Sequence, residues 1–173
     1  GAVIDTGQEI VEIKPSASNH APLRILQKVI EINNAALTNQ DNHSDTTLEH
    51  GLKSLHQLCP KGSDIIMLSD FVRYNESNYS LINQIRRHNR VRLVHFYDPL
   101  EQGVTAFKGS KQITDGNKTQ WFNFSSSREK GKLSHAFHQK QQLIMQMSLS
   151  LAIPYSSLSC AQSLMSQVSG VQS

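Results

Sequence analysis

A chain of 173 residues with 38% apolar and 18% charged residues is long enough for one domain with a real core. Its formal charge of +3 is spread along the chain, and the densest basic stretches, Arg86–Arg92 and Lys108–Lys111, are short and lack interleaved aromatics, which argues against nucleic-acid binding. No apolar run approaches the roughly 20 residues of a membrane span, nothing resembles a signal peptide, and Cys59 and Cys160 lie far apart without metal-ligand spacing, so the expectation is a cytoplasmic protein with reduced thiols and no membrane partner.

Residues 2–5 and 8–13 are two short segments with Gly7 between them. Val11 and Ile13 alternate with Glu12 and Lys14, the pattern of a half-exposed hairpin strand ending at Pro15. Pro22 suits the first turn of a helix. Leu23, Leu26, Ile30 and Leu37 give that helix one apolar face, and Ile25, Val29, Ile32 and Ala36 a second, so it is expected to be well covered. Residues 38–47 form a polar loop, from which Asp45, Thr46 or Thr47 can cap the next helix. Leu48, Leu52, Leu55 and Cys59 follow at helical spacing until Pro60 and Gly62 end the run.

Residues 65–70, Ile-Ile-Met-Leu-Ser-Asp, are an apolar run that stops at a polar pair. Such a run predicts a strand buried on both faces, as in parallel sheets. Leu81, Ile82 and Ile85 mark a helix ending near His88 and Asn89, and Val91–Tyr97 is a second buried-type strand stopping at Asp98-Pro99. Strand, helix, strand, helix, strand, with helices long enough for right-handed crossovers, predicts a doubly wound α/β fold. Asp115-Gly116 marks the turn of a small hairpin between 111–114 and 119–124. Leu133, Phe137, Ile144, Met147 and Leu151 line one face of a long helix that Pro154 breaks, with Tyr155–Leu158 as a last short strand and Ala161–Val168 as a closing helix. No repeat or linker divides the chain.

In open α/β sheets ligands bind beyond the carboxyl ends of the strands. Asp70 and Asp98 each end a predicted buried strand, so their carboxylates suit a hard cation such as Mg²⁺, or else they cap the loops that follow. Thr46 and Thr47 precede a helix, where a hydroxyl ligates a cation or, more commonly, caps. The eight histidines show no zinc spacing and read as solvated or partly packed. Nucleotide and nucleophile motifs of the glycine-rich, Walker and Gly-x-Ser-x-Gly types are absent from the sequence, and adjacent Ser69 and Asp70 point to opposite sides of a strand, a poor nucleophile–base pair.

The segments GSDIIMLSDF (62–71), LINQIRRHNRVRLVHFYDPLEQ (81–102) and ITDGNKTQWFNF (113–124) resemble the bacterial family called domain of unknown function fifty-eight. The opening GAVIDTGQEIVEIKP is similar to the segment after the first helix of that family's domain. The resemblance covers nearly the whole chain. It implies a von Willebrand factor type A-like (Rossmann-like) doubly wound, mostly parallel sheet, and a gene neighbourhood with MoxR-type AAA+ ATPases. It further implies the second and third parts of a metal-ion-dependent adhesion site, with Thr46 of Asp45–Leu52 in the threonine position and Asp70 in the aspartate position. The first part, Asp-x-Ser-x-Ser, occurs nowhere in these residues. Residues 1–173 are therefore expected to be a single domain lacking its N-terminal central strand and first helix. The gap is expected to be filled by rearrangement or by another copy pairing along exposed sheet edges.

The function expected from this resemblance is a non-enzymatic protein-interaction module. Its partner would be a MoxR-type ATPase, and no cofactor would bind unless the missing motif is present to hold Mg²⁺. The alternative is a Mg²⁺-dependent hydrolase or phosphotransferase using Asp70 and Asp98, which lacks a phosphate loop here.

Overall fold

A computed structural model describes residues 1–38, 46–114 and 119–168. In chain order the elements are β1 (Ala2–Asp5), β2 (Ile10–Ile13), α1 (Ala21–Thr38), α2 (Leu48–Leu58), β3 (Asp64–Ser69), α3 (Ser77–Arg86), β4 (Arg90–Tyr97), β5 (Ser110–Thr114), β6 (Thr119–Asn123), α4 (Ser127–Ser150), β7 (Tyr155–Ser159) and α5 (Leu164–Val168). They divide into two compact units: residues 1–63 with 73–88, and residues 64–72 with the described residues from 89 onward. Among the described residues no helix is long and apolar enough to cross a membrane.

In the first unit β1 and β2 pair antiparallel, with Ala2 opposite Ile13 and Asp5 opposite Ile10. Their link turns through Gly7 at φ 87°, a left-handed conformation glycine takes without a steric penalty. Helix α2 starts with a reciprocal cap: the His50 amide donates to the Thr47 hydroxyl, and the Thr47 amide donates to Nδ1 of His50. Thr47 is thus the capping residue, while Asp45 lies outside the described residues. Helix α2 packs against both hairpin strands and against α3. Leu52 of α2 and Ile82 and Ile85 of α3 are buried.

Helix α1 departs from expectation. It buries no residue, and Leu23, Leu26, Val29, Ile30 and Leu37 are all exposed. Of the second expected face, Ile25 and Ile32 are half-covered, as are Ala21 and Lys28 beside them, while Val29 and Ala36 are exposed. Periodicity identifies which side of a helix is apolar; it does not supply the surface that covers it.

The second unit is built on a three-stranded parallel sheet of order β3-β4-β7. This is an α/β arrangement compatible with a Rossmann-like fold. Ile65 lies beside Val91, Met67 beside Leu93 and Ser69 beside His95 in β3 and β4. Leu93 lies beside Tyr155 and Tyr97 beside Ser159 in β4 and β7. Helix α4 forms the crossover from β4 to β7, as parallel pairing requires. Phe137 of α4 stacks on His95 and packs on Tyr97, so α4 covers the face carrying Val91, Leu93 and His95.

The opposite sheet face corrects the expectation for β3. The run 65–70 is covered on one face only, because side chains alternate along the pleat: Ile65 is buried, whereas Ile66 and Leu68 are 53% and 63% exposed. Strands β5 and β6 form the predicted hairpin, although the turn residues Asp115 and Gly116 lie outside the described residues. Phe122 and Phe124 anchor it, their rings 4.7 Å apart, while Trp121 faces outward. The hairpin β1–β2 is a sheet of its own, and among the described residues no strand fills the outer side of β3.

Helix α4 ends before Pro154 in a Schellman motif. The Ile153 amide donates to the Ser148 carbonyl and the Ala152 amide to the Leu149 carbonyl. The left-handed position, usually glycine, is Ala152 at φ 49°. The substitution Ala152→Gly is therefore expected to stabilise the second unit by about 1 kcal/mol, relieving a methyl–carbonyl contact at the expense of some unfolded-state entropy. Urea unfolding followed by fluorescence of Trp121, the sole tryptophan, reads the change.

Candidate functional site: polar groups at strand ends

In the first unit the turn after β1 meets the segment leading into α2. The Asp5 carboxylate accepts from the Gly7 amide at 2.8 Å and from the Thr46 hydroxyl at 2.5 Å. The Arg73 guanidinium donates to the Thr46 carbonyl at 3.0 Å and lies 3.9 Å from the second Asp5 oxygen. The Thr46 amide in turn donates to the Gly7 carbonyl. A carboxylate, a hydroxyl and a guanidinium thus hold two loops together through charge-assisted bonds. Thr46 is marked in the sequence by its place before α2; Asp5 ends a strand, the same signal that marks Asp70 and Asp98, and is a site residue the sequence analysis does not include.

In the second unit β3 ends in a tight turn. The Ser69 hydroxyl accepts from the Phe71 amide at 2.9 Å, and the Asp70 carboxylate accepts from the Val72 amide at 3.0 Å. Phe71 takes a left-handed φ of 52° and is buried. Only firm packing holds a bulky residue in that conformation. The Val72 carbonyl is gripped from α4 by the Lys140 ammonium at 2.9 Å. At the end of β4, Asp98 accepts from the Leu100 amide at 2.7 Å and its own amide donates to Glu101 at 2.9 Å. Asp70 directly follows β3 and Asp98 directly follows β4, two neighbouring parallel strands. One oxygen of each caps the loop that follows, the bland alternative raised from sequence.

Between these strand ends lies a group that sequence reading treated as solvated or partly packed. His95 is 1% exposed. Its Nδ1 is 3.0 Å from the Tyr155 hydroxyl, and its ring is surrounded by Phe71, Tyr97, Phe137 and Tyr155. Burial pushes its pKa below the ordinary value, while the Asp70 charge and a hydrogen bond to the Asp70 backbone oppose that shift, and Lys140 reinforces it. Burial likewise lowers Lys140, against the pull of Asp70, and raises Tyr155, against a hydrogen bond with Gln141. The alternation Val91, Leu93, His95 was the available signal that this histidine faces the core.

Thr46 belongs to the first unit and Asp70 to the second. The Thr46 hydroxyl is bonded to Asp5, and Asp70 caps its own turn. Among the described residues no three His, Cys, Asp or Glu side chains are gathered as a metal site. No protein-family model, curated protein or solved structure matches the chain.

Proposed function

We propose that the chain is a non-enzymatic interaction module, a von Willebrand factor type A-like domain that serves a MoxR-type AAA+ ATPase as an adaptor. The sheet supports this reading: parallel strands present polar residues at their carboxyl ends, where such folds recognise ligands. The observation that carries it is the use of those polar groups. Ser69, Asp70 and Asp98 each bond a backbone amide of their own loop and so shape a rigid rim. None of these contacts is a nucleophile–base bond of the kind acyl or phosphoryl chemistry uses. Thr46 and Asp70 keep their family positions in this reading as recognition residues.

The test uses the whole chain as bait for a purified MoxR-type ATPase. The wild type is expected to retain it, and Asp70→Ala to weaken retention about tenfold, a loss of about 1.4 kcal/mol. No retention by the wild type overturns the adaptor reading. Mg²⁺-dependent phosphate release that disappears in Asp70→Asn replaces it with the hydrolase.

A further inference from the structure

Among the described residues, Phe71 and Ala152 are the non-glycine positions with a positive φ, at 52° and 49°. At Ala152 the left-handed conformation closes helix α4, as helix ends commonly do. Phe71 ends no helix. It is 2% exposed, and its surroundings must hold a bulky residue in that conformation. The bonds within the turn are local: the Ser69 hydroxyl and the Asp70 carboxylate each accept from an amide two positions on, as they do in turns of many shapes. Ties from other elements fix the particular shape. His95 of β4 bonds to the Asp70 backbone and sets its ring edge-on to Phe71 at 6.0 Å. Lys140 of α4, 68 positions along the chain, donates to the Val72 carbonyl at 2.9 Å. Burial of Lys140 pushes its pKa down, and the Asp70 charge opposes that shift.

We infer that Lys140 is the latch of the turn after β3: it keeps Phe71 left-handed and so sets the direction in which Asp70 is presented, a positioning role that rests on the proposed reading of Asp70 as a recognition residue. The link from Phe71 to Val72 carries the effect. With Phe71 left-handed, the Val72 amide turns back to the Asp70 carboxylate and the Val72 carbonyl meets α4. In the right-handed conformation that phenylalanine prefers, the Val72 peptide groups rotate away and Asp70 loses the amide that orients it. The ammonium thus holds a turn with two accessible conformations in the less favoured one. It does so through a bond to one carbonyl, with its charge facing that of Asp70. Arginine can meet both requirements, since neither a bidentate nor a stacked geometry is involved, whereas methionine, of similar length, meets neither.

Amide hydrogen exchange of the whole chain reads the latch without any partner. Lys140 is half-buried within α4, and methionine keeps its helix propensity, so Lys140→Met is expected to fold. In that variant the Phe71 and Val72 amides should exchange about tenfold faster than in the wild type, while the β4 amides of Val91–His95 keep their rates. Lys140→Arg should match the wild type. Binding gives the second readout. Lys140→Met should weaken retention of the purified MoxR-type ATPase about tenfold, as Asp70→Ala does, and the double variant should lose no more than either alone, because both act on one turn. Unchanged Phe71 and Val72 exchange in Lys140→Met overturns the inference. So does faster exchange throughout the sheet, which marks a general loss of stability, and so does a Lys140→Arg chain that behaves like Lys140→Met. Additive losses in the double variant sever the latch from Asp70 and overturn the positioning role. A wild type that retains no ATPase overturns the adaptor reading instead, and the exchange rates still decide whether Lys140 latches the turn.

Discussion

The substitution His95→Ala is expected to destabilise the second unit by about 3–4 kcal/mol, enough to unfold a marginal domain. The imidazole fills a pocket walled by Phe71 from the β3 turn, Tyr97 from β4, Phe137 from α4 and Tyr155 from β7. Removing it leaves a cavity that four aromatic rings on separate supports cannot close. It also takes from the Tyr155 hydroxyl its 3.0 Å partner in a part-buried site, leaving the hydrogen bond with Gln141. His95→Phe keeps most of the volume and should cost less, about 1–2 kcal/mol, mainly for the lost His95–Tyr155 hydrogen bond. Urea unfolding of both variants, followed by Trp121 fluorescence, gives the order.

The same residue sets a pH dependence whose sign is fixed by burial. His95 is held neutral in the folded chain, with a pKa below its ordinary value of 6.5. The unfolded chain therefore takes up a proton first as pH falls, and stability drops wherever the unfolded state binds more protons. The contribution is fully present above about 6.5 and is lost progressively as pH falls through that value towards the lower folded pKa. Lys140, facing the ring from α4, opposes protonation, and Asp70, at the end of β3, favours it. Unfolding free energies of the wild type should fall between neutral and mildly acid pH, and those of His95→Phe should lack that component. A wild-type profile parallel to the variant's means that His95 does not titrate in the unfolding transition.

These features also mark what could be read from sequence. Alternation and the punctuation of Pro60, Asp98-Pro99 and Pro154 placed β3, β4, β7 and α4 within a few residues, because those signals act through local backbone geometry. Coverage was harder. The apolar residues of α1 and the outer face of β3 were expected inside, yet Leu37 and Leu68 are exposed. Hydrophobicity states what a face would gain from burial, whereas only tertiary structure states whether anything covers it. The candidate site was half legible for a related reason. Asp70 and Asp98 announce themselves by ending strands, but the bonds from Asp5 to Thr46 and from His95 to Tyr155 join residues 41 and 60 positions apart. No local pattern encodes those pairings.

Gly103→Ala is the second large effect expected, and here the cause is backbone against backbone. The loop after β4 turns back through Gly103, whose φ is 75°, with its amide bonded to the Leu100 carbonyl and the following Val104 amide to Pro99. A methyl group at this position would lie 2.6 Å from the Lys130 carbonyl oxygen and 3.2 Å from its carbon. That carbonyl belongs to the first turn of α4, which Ser126 caps by accepting from the Glu129 amide. It cannot retreat without disturbing the helix start, and the loop cannot retreat without releasing the turn that Asp98 caps. The left-handed conformation alone costs alanine about 1–2 kcal/mol, and the overlap adds about 1–3 kcal/mol. Gly62 supplies the comparison: its φ is 84°, yet a methyl there meets nothing within 4 Å. Gly62→Ala should therefore lose only the conformational part. Thermal unfolding of the two variants separates the effects, and equal losses would mean that the loop does not press on α4 as closely as the backbone indicates.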